Sequence, residues 1–173
     1  MATVPSIRTW TNEVLTAAKM NEISSMMDFL RDCDGGLCRA FATGTQSIAT
    51  SSDIAITFGS ASPNVDNMWS SGDPTKITAN TAGYYAIAGV VAFAANSTGG
   101  RFGKMKRNGT TLRAASVPAL ASPVETFIDM ALRVVHMDVG EYIQLFAWQN
   151  SGGSLNTSTN DGGCQISVIR LAS

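Results

Sequence analysis

Residues 77–96 read ITANTAGYYAIAGVVAFAAN, and this stretch decides the fold class. Its length and its β-branched and aromatic residues predict a strand. From residue 84 onward, both alternating sets of side chains are apolar or glycine. One set contains Tyr85, Ile87, Val91 and Phe93, and the other contains Tyr84, Ala86, Ala88, Val90 and Ala92. A strand with one face in water alternates apolar with polar residues, so this strand is predicted to be buried on both faces.

The composition favours one β-rich domain. Only 14% of the 173 residues are charged, whereas turn and strand residues such as Gly, Ser, Thr and Asn are frequent. The net charge is −1 and no Lys/Arg cluster is present, so we expect no nucleic-acid partner. No apolar run reaches the roughly 18 to 20 residues of a membrane span. Residues 1–10 lack the pattern of a secretory signal, so we expect synthesis in a cytoplasm.

The segment before Gly35 and Gly36 has helical spacing. Residues 16–33 predict a helix, and the hydroxyl of Thr16 is placed to cap its first turn. One apolar stripe at 3-4-3 spacing consists of Met20, Ile23, Met27 and Leu30, with Cys33 continuing it. Such a stripe packs either on the chain's own domain or on copies of the same helix. The pattern leaves both interpretations open.

Short strands separated by turn signals follow the two glycines. Residues 53–58 alternate apolar with other residues, and Asn108–Gly109 is a strong hairpin signal because both residues tolerate positive φ. A strand over residues 127–137 leads into the turn at residues 138–141, and residues 142–149 and 164–171 form the last two strands. Strands at this spacing without intervening helices predict an all-β sandwich, whose topology the pattern does not fix.

Four landmarks of this region resemble the tumour necrosis factor and complement globular-head superfamily. They are the Gly-x-Tyr strand at Gly83, the Asn-Gly hairpin, the apolar strand that leads into a Gly-acidic turn, and the closing strand ISVIRLAS. The resemblance covers residues 39–173 and implies a ten-strand jelly roll that assembles as a trimer. It assigns the Tyr85 set to the sandwich core. It assigns to the three-fold axis Tyr84, Ala86, Ala88, Val90, Met130, Leu132, Val134, His136, Ile169 and Leu171. A wider sandwich or a dimer would also bury both faces.

The N-terminal segment resembles a leader found in structural proteins of tailed bacteriophages. The resemblance covers residues 7–30, and its matching residues are Trp10, Thr16, Ala17, Ala18 and Asn21. It implies an anchor segment, residues 1–36, that contacts other virion proteins, followed by a displayed head, residues 37–173. The anchor residues are predicted to be Trp10, Thr16, Met20, Ile23, Met27 and Leu30. On this interpretation the protein is part of a virion that is assembled in the host cytoplasm.

The sequence predicts neither catalysis nor a cofactor. The single histidine, His136, lies in an apolar strand, where a packing or interface role is favoured over that of a base. No Gly-x-Ser-x-Gly or phosphate-loop motif is present. The acids at Asp53, Asp66, Asp73 and Asp161 lack the ordered spacing of a calcium loop. We therefore expect no catalytic, cofactor-binding or metal-binding residues.

The three cysteines form an odd set. Cys33 and Cys38 could close a short loop, which would leave Cys164 unpaired. Zinc needs four close ligands, and His136 lies far away in sequence. For a cytoplasmic product we predict free, partly buried thiols.

Two functions are compatible with these patterns. One is a trimeric tail-tip or fibre head that binds a host surface glycan or protein. The other is a trimer that decorates the capsid at three-fold positions and stabilises the head. Ligand contacts are predicted in polar loops with nearby aromatic residues, at Trp69, Asp73, Gln149 and Asn156.

Overall fold

The computed structural model describes residues 16–31 and 36–172, without the side chains of residues 28–31. One helix, α1, spans Ala17–Arg31, and a short 3₁₀ helix spans Asn160–Gly162. The strands are β1 Leu37–Phe41, β2 Ser47–Ile48, β3 Ile54–Ala55, β4 Ser60–Val65, β5 Ile77–Thr78, β6 Gly83–Phe93, β7 Gly100–Arg107, β8 Thr110–Pro118, β9 Thr126–Met137, β10 Tyr142–Gln149, β11 Leu155–Asn156 and β12 Gln165–Ala172.

Two antiparallel sheets face each other. The first sheet has the strand order β4-β1-β12-β6-β9, and the second has the order β3-β10-β7-β8, with β5 also paired to β10. A short ribbon of β2 and β11 completes the described strands. The predicted mainly β jelly-roll sandwich, preceded by a short helix, is confirmed.

Turn chemistry fixes the strand order locally. Asn108 and Gly109 have φ of 46° and 82°, the pair of positive values that a tight hairpin needs, and they join β7 to β8. Gly140, with φ of 89°, lies in the turn between β9 and β10, where the amide of Glu141 donates to the carbonyl of Asp138. Both predicted turns are confirmed. The predicted strand at residues 53–58 is paired as a strand only over β3.

The core lies between the two sheets. From β6, the side chains of Tyr85, Ile87, Val91 and Phe93 are all fully buried, as the sequence predicts. They meet residues of the second sheet that include Met105, Ile143, Leu145 and Ala147. One alternating set of the opening stretch therefore belongs to the sandwich core.

Met130 corrects a prediction, because it packs inside the sandwich and not on the axis side. Its side chain is 4% exposed. If Gly103 of the facing sheet carried a Cβ atom, that atom would lie 3.4 Å from the Met130 Sδ. The cause is a β-bulge: β9 places two residues, Ala131 and Leu132, opposite the single Ala88 of β6. The extra residue reverses the alternation of β9 at that point.

The buried Arg101 holds the segment that connects β6 of the first sheet to β7 of the second. Arg101 is fully buried and its guanidinium donates to the carbonyls of Asn96, Thr98 and Gly100, at 2.9–3.1 Å. The guanidinium carbon also lies 5.8 Å from the ring centre of Phe93. Burial lowers the pKa of Arg101. Its donors hold residues 96–100 against the start of β7.

Helix α1 begins as predicted. The Thr16 hydroxyl accepts from the amide of Lys19 at 3.4 Å, and the Thr16 carbonyl accepts from Met20. Met20, Ile23 and Met27 of the predicted stripe are exposed. Trp10 and Cys33 lie outside the described residues, as does the side chain of Leu30. The division into an anchor of residues 1–36 and a head of residues 37–173 stays a prediction.

Candidate interaction face

The side of the first sheet that points away from the second sheet is the candidate interaction face, called the open face below. Strand pairing arranges it in rows. One row runs from Leu37 through Ile169 and Ala86 to Val134, and another runs from Phe41 through Gln165 and Val90 to Asp129. Tyr84 and His136 are paired at one end of the face.

The open face is apolar over most of its length. Its exposed apolar side chains are Tyr84 at 49%, Leu132 at 60%, Val134 at 54%, Ile169 at 38% and Leu171 at 58%. Ala86 is buried, and Ala88 and Val90 are partly buried, because they lie on β6 between the flanking strands β12 and β9. A contiguous apolar patch of this kind on a folded domain marks an interaction site.

An aromatic pair ends the face. The Tyr84 and His136 rings meet edge to face, with centroids 5.1 Å apart and planes at 77°. Arg107 of the second sheet donates to the carbonyl of His136 at 2.7 Å, which ties this end of β9 to the sandwich. His136 Nδ1 lies 3.8 Å from a carboxylate oxygen of Asp138. His136 is exposed at this end of the face and its neighbours suit packing, whereas its place at a three-fold axis stays a prediction.

The opposite end of β6 is covered by the chain itself. Ala92 is fully buried, and its carbonyl accepts from the amide of Ser158 at 3.0 Å. Its amide donates to the sulfur of Cys164 at 3.3 Å. The segment after β11 thus closes the second face of β6 at Ala92. The strand is buried on both sides there and is open from Val90 to Tyr84.

Polar residues lie beside the covered end. Arg39 Nε donates to Gln165 Oε1 at 2.9 Å, and its guanidinium carbon lies 5.5 Å from the ring centre of Phe41. A shallow groove of about 200 Å³ runs between β12, β6 and β9, lined by residues that include Gln165, Val90 and Asp129. Arg39 and Asp129 were not predicted from the sequence. The alternation in LCRAF places Arg39 on the face opposite to that of the buried Cys38 and Ala40. This pattern could have identified Arg39 as a surface residue.

The predicted ligand loops are partly wrong. Gln149 is fully buried: its Nε2 donates to the carbonyls of Ile48 and Gly153, and its Oε1 accepts from Ser151. A buried amide with these three bonds holds the 149–153 turn and is not presented to a ligand.

Of the other three ligand-loop residues, Trp69 and Asp73 lie in one loop and Asn156 lies on β11. Trp69 packs against the core, and its ring N–H donates to the Pro74 carbonyl at 3.2 Å, so it is a structural residue. Asp73 is exposed and pairs with Lys76 at 2.7 Å. Asn156 is exposed on β11. Asp73 and Asn156 are thus the exposed members of the predicted set.

The second sheet carries an aromatic row that the sequence analysis did not select. Along β10 the half-exposed Tyr142, Phe146 and Trp148 point away from the core, and the Phe102 and Trp148 rings meet edge to face at 4.7 Å. Lys106 Nζ lies 4.0 Å from the ring centre of Phe146. The alternation of YIQLFAWQ was the available signal, because Tyr142, Phe146 and Trp148 fall in the same alternating set, opposite to Ile143, Leu145 and Ala147.

The described residues provide few reactive groups. Residues 16–31 and 36–172 contain no cluster of three His, Cys, Asp or Glu that could hold a metal ion. Cys38 and Cys164 are free and fully buried, and burial raises the pKa of Cys38 to about 12 and that of Cys164 to about 11. A deeply buried thiol held in its protonated form is a poor nucleophile. In the same residues, no helix has the length and apolarity needed to cross a bilayer.

Solved structures identify the architecture. Murine APRIL at pH 5.0 matches with a TM-score of 0.61 and 13% identity, over 79% of this chain and 98% of that chain. Eiger TNF from S. frugiperda matches with a TM-score of 0.56 and 10% identity, over 79% and 92%. The fold is that of the tumour necrosis factor and complement globular heads.

The complement branch is represented as well. The globular domain of zebrafish complement 1qA matches with a TM-score of 0.53 and 8% identity, over 79% of this chain and 97% of that chain. No protein-family model and no curated protein matches the chain. At these sequence identities, the structural similarity to tumour necrosis factor and complement heads establishes the fold alone. The function has to be argued from the chain's own surfaces.

Proposed function

We propose that the protein is a non-enzymatic homotrimer on the surface of a tailed-phage virion, where it forms a tail-tip or fibre head that binds the host surface. The observation that carries the proposal is the open face. A single chain exposes Tyr84, Leu132, Val134, Ile169 and Leu171 side by side on a regular sheet. Burying such a patch between copies yields roughly 25 cal/mol for each Å² removed from water.

Three copies are proposed because of the fold. The resemblance to tumour necrosis factor and complement heads implies a three-fold axis along the sheet that contains the Gly-x-Tyr strand. In this chain that sheet is the first sheet, and its exposed apolar side chains lie on the side away from the core. In a closed ring of three chains, the open face of every chain contacts a neighbour, so none of the three faces is left in water.

The virion location rests on the leader-like segment. Residues 7–30 resemble the leader of phage structural proteins, and the exposed stripe of Met20, Ile23 and Met27 on α1 offers an apolar surface to other virion proteins. Decoration of the capsid at three-fold positions is the alternative location. The copy number separates the two, because a tail carries few copies and a capsid carries hundreds.

Host binding is assigned to the outward side of the second sheet. In a trimer that uses the open face, this sheet remains in water. Its half-exposed Tyr142, Phe146 and Trp148 provide flat apolar surfaces beside lysines, which suits sugar rings that carry acidic groups. Three linked copies would gain avidity, on the order of 100-fold, when they engage a surface together.

Sedimentation equilibrium tests the assembly. At micromolar concentration we expect a mass of three times the 18.2 kDa chain. A monomer would contradict the proposal, and a dimer would contradict the three-fold axis. Reconstruction of the virion would then assign the trimer to the tail tip or to the capsid.

A retention assay tests binding and catalysis together. The trimer is incubated with host cells and with host cell-wall polysaccharide. We expect retention on cells, with loss on Trp148→Ala while the trimer persists, and we expect no released oligosaccharide. Ser116→Ala, an exposed position on β8, which β7 separates from β10, is the control. Oligosaccharide release that disappears on His136→Ala would contradict the non-enzymatic proposal, and equal retention of the Trp148 variant would contradict the binding surface.

A further inference from the structure

One acid and one base lie at opposite sides of the open face, on neighbouring levels: Asp129 is level with Gln165, and Arg39 is level with Ser167 and Ala88. Phe41, Gln165, Val90 and Asp129 are paired in a row across four strands, and Asp129 ends that row on β9. On β1 the guanidinium of Arg39 bonds Gln165 and lies over Phe41, so the cation reaches the same row from the other side. Both residues are exposed.

The two charges do not meet within one chain. Neighbouring strands lie about 4.8 Å apart, so the backbones of β1 and β9 are separated by roughly 14 Å. Arg39 already bonds Gln165 on the adjacent strand, and Asp129 makes no hydrogen bond or ion pair with any described residue. The β1 side of the face thus presents the cation of Arg39, and the β9 side presents the anion of Asp129.

We propose that Asp129 of one copy pairs with Arg39 of the next copy and sets the register of the assembly. The inference rests on the proposed homotrimer and names the contact that orients it. Rotation about an axis parallel to the strands keeps every residue at its own level. It brings the β9 side of one face against the β1 side of its neighbour, so the Asp129 carboxylate meets the Arg39 guanidinium, which its bond to Gln165 holds at the level of Asp129.

The neighbourhood of the pair suits this role. Gln165 lies between the two charges and already orients the guanidinium, which leaves the remaining donors of Arg39 for a carboxylate. The groove beside Asp129 leaves space for an incoming long side chain. The rest of the face is apolar and gives little preference for one register, whereas a mismatched charge in it is strongly unfavourable.

Charge reversal tests the contact. Arg39→Glu and Asp129→Arg are each expected to weaken association by about tenfold or more, because each places like charges together. The variant that carries both reversals is expected to return to the wild-type dissociation constant. Arg39→Lys and Asp129→Glu keep the charges and serve as controls, with a much smaller effect expected. Thermal unfolding checks that every variant folds.

Mixing the two single variants tests the symmetry. In a two-fold assembly, one Arg39→Glu chain and one Asp129→Arg chain match at both contacts, so the mixture would recover fully. A ring of three always retains one contact between identical chains, so we expect only partial recovery. Native mass spectrometry measures the composition of the complexes.

The outcomes separate this inference from the homotrimer on which it rests. A wild-type monomer would contradict both. A wild-type trimer that is unaffected by the single reversals, or that the double reversal does not restore, would contradict the Arg39–Asp129 pair alone. Full recovery of the mixture as a dimer would support the pair and contradict the three-fold axis.

Discussion

The Tyr84 ring packs edge to face on the imidazole of His136, with ring centroids 5.1 Å apart, on the exposed side of the first sheet. The two residues are paired across β6 and β9, at the end of the face where Leu171 is also exposed. An aromatic pair in this position offers a large apolar surface whose geometry is already fixed. It costs little side-chain entropy to bury, which favours a contact with another chain.

Tyr84→Ala is expected to weaken association by roughly tenfold or more while the monomer stays folded. The ring is half exposed in a single chain, so its removal costs the assembly more than it costs the fold. Analytical ultracentrifugation over a concentration series measures the effect. Tyr142→Ala, a tyrosine on the second sheet, is the control. Equal weakening by both variants would show that the open face is not the interface.

Ala88→Arg is expected to prevent assembly. Ala88 lies at the centre of the open face, opposite the bulge of Ala131 and Leu132, where an arginine would carry an unpaired charge into the contact. Ala114→Arg makes the same chemical change on β8 of the second sheet and is expected to leave the assembly intact. A trimer of normal stability with Ala88→Arg would place the interface elsewhere.

Deletion of residues 1–34 is expected to leave a folded, trimeric head that no longer enters virions. The stripe of Met20, Ile23 and Met27 is exposed, and none of the described side chains of α1, residues 17–27, belongs to the hydrophobic core. Circular dichroism and sedimentation check the head, and incorporation into particles checks the anchor. If the deletion unfolds the head, the helix belongs to the core and the two-part organisation is wrong.

Arg101→Met is expected to lower the free energy of unfolding by about 2 kcal/mol or more. The substitution removes the fully buried guanidinium and leaves the partly buried carbonyls of Asn96 and Thr98 without the donors that now satisfy them. Urea unfolding measures the change. Lys104→Met on the same strand removes a partly exposed ion pair with Asp53 and is expected to cost less than about 1 kcal/mol. Similar losses for the two variants would contradict the role of Arg101.

The buried thiols predict a loss of stability in alkali. Burial raises the pKa of Cys38 to about 12 and that of Cys164 to about 11 from an ordinary value of 9.0. Above about pH 9 the unfolded chain releases thiol protons that the folded chain keeps, so the free energy of unfolding falls as the pH rises. The stability linked to the protonated thiols is fully present below about pH 9 and is lost as the pH rises toward about 11 to 12.

Alkylation checks the same point. In a Cys33→Ser background, Cys38 and Cys164 are expected to resist iodoacetamide near pH 8 and to react once urea unfolds the chain. A steeper fall of stability with pH in the wild type than in Cys38→Ala would confirm the link. Rapid alkylation of either thiol in the folded protein would contradict it.

The sequence determined the class of the fold and the strand that organises it. Alternation along β6 separated the core set of Tyr85 and Ile87 from the set of Tyr84, and the Asn108–Gly109 pair marked its hairpin. These features are local, because the burial pattern of a strand and the geometry of a turn depend on residues that are neighbours in the sequence. The positions of Leu132, Val134 and His136 were implied by the resemblance to the tumour necrosis factor and complement superfamily, which placed Met130 with them.

Tertiary structure alone decided the rest. Met130 turns into the sandwich because β9 holds one residue more than β6 at the bulge, and such a mismatch exists only between two paired strands. Gln149 is buried because the carbonyls of Ile48 and Gly153, one of them distant in sequence, close around its amide. The Arg39 guanidinium reaches the level of Asp129 only through the register of four strands and its bond to Gln165, because its own backbone is paired one level away, with Ser167. Periodicity specifies which residues of a strand share a face, whereas packing between distant segments decides what that face meets.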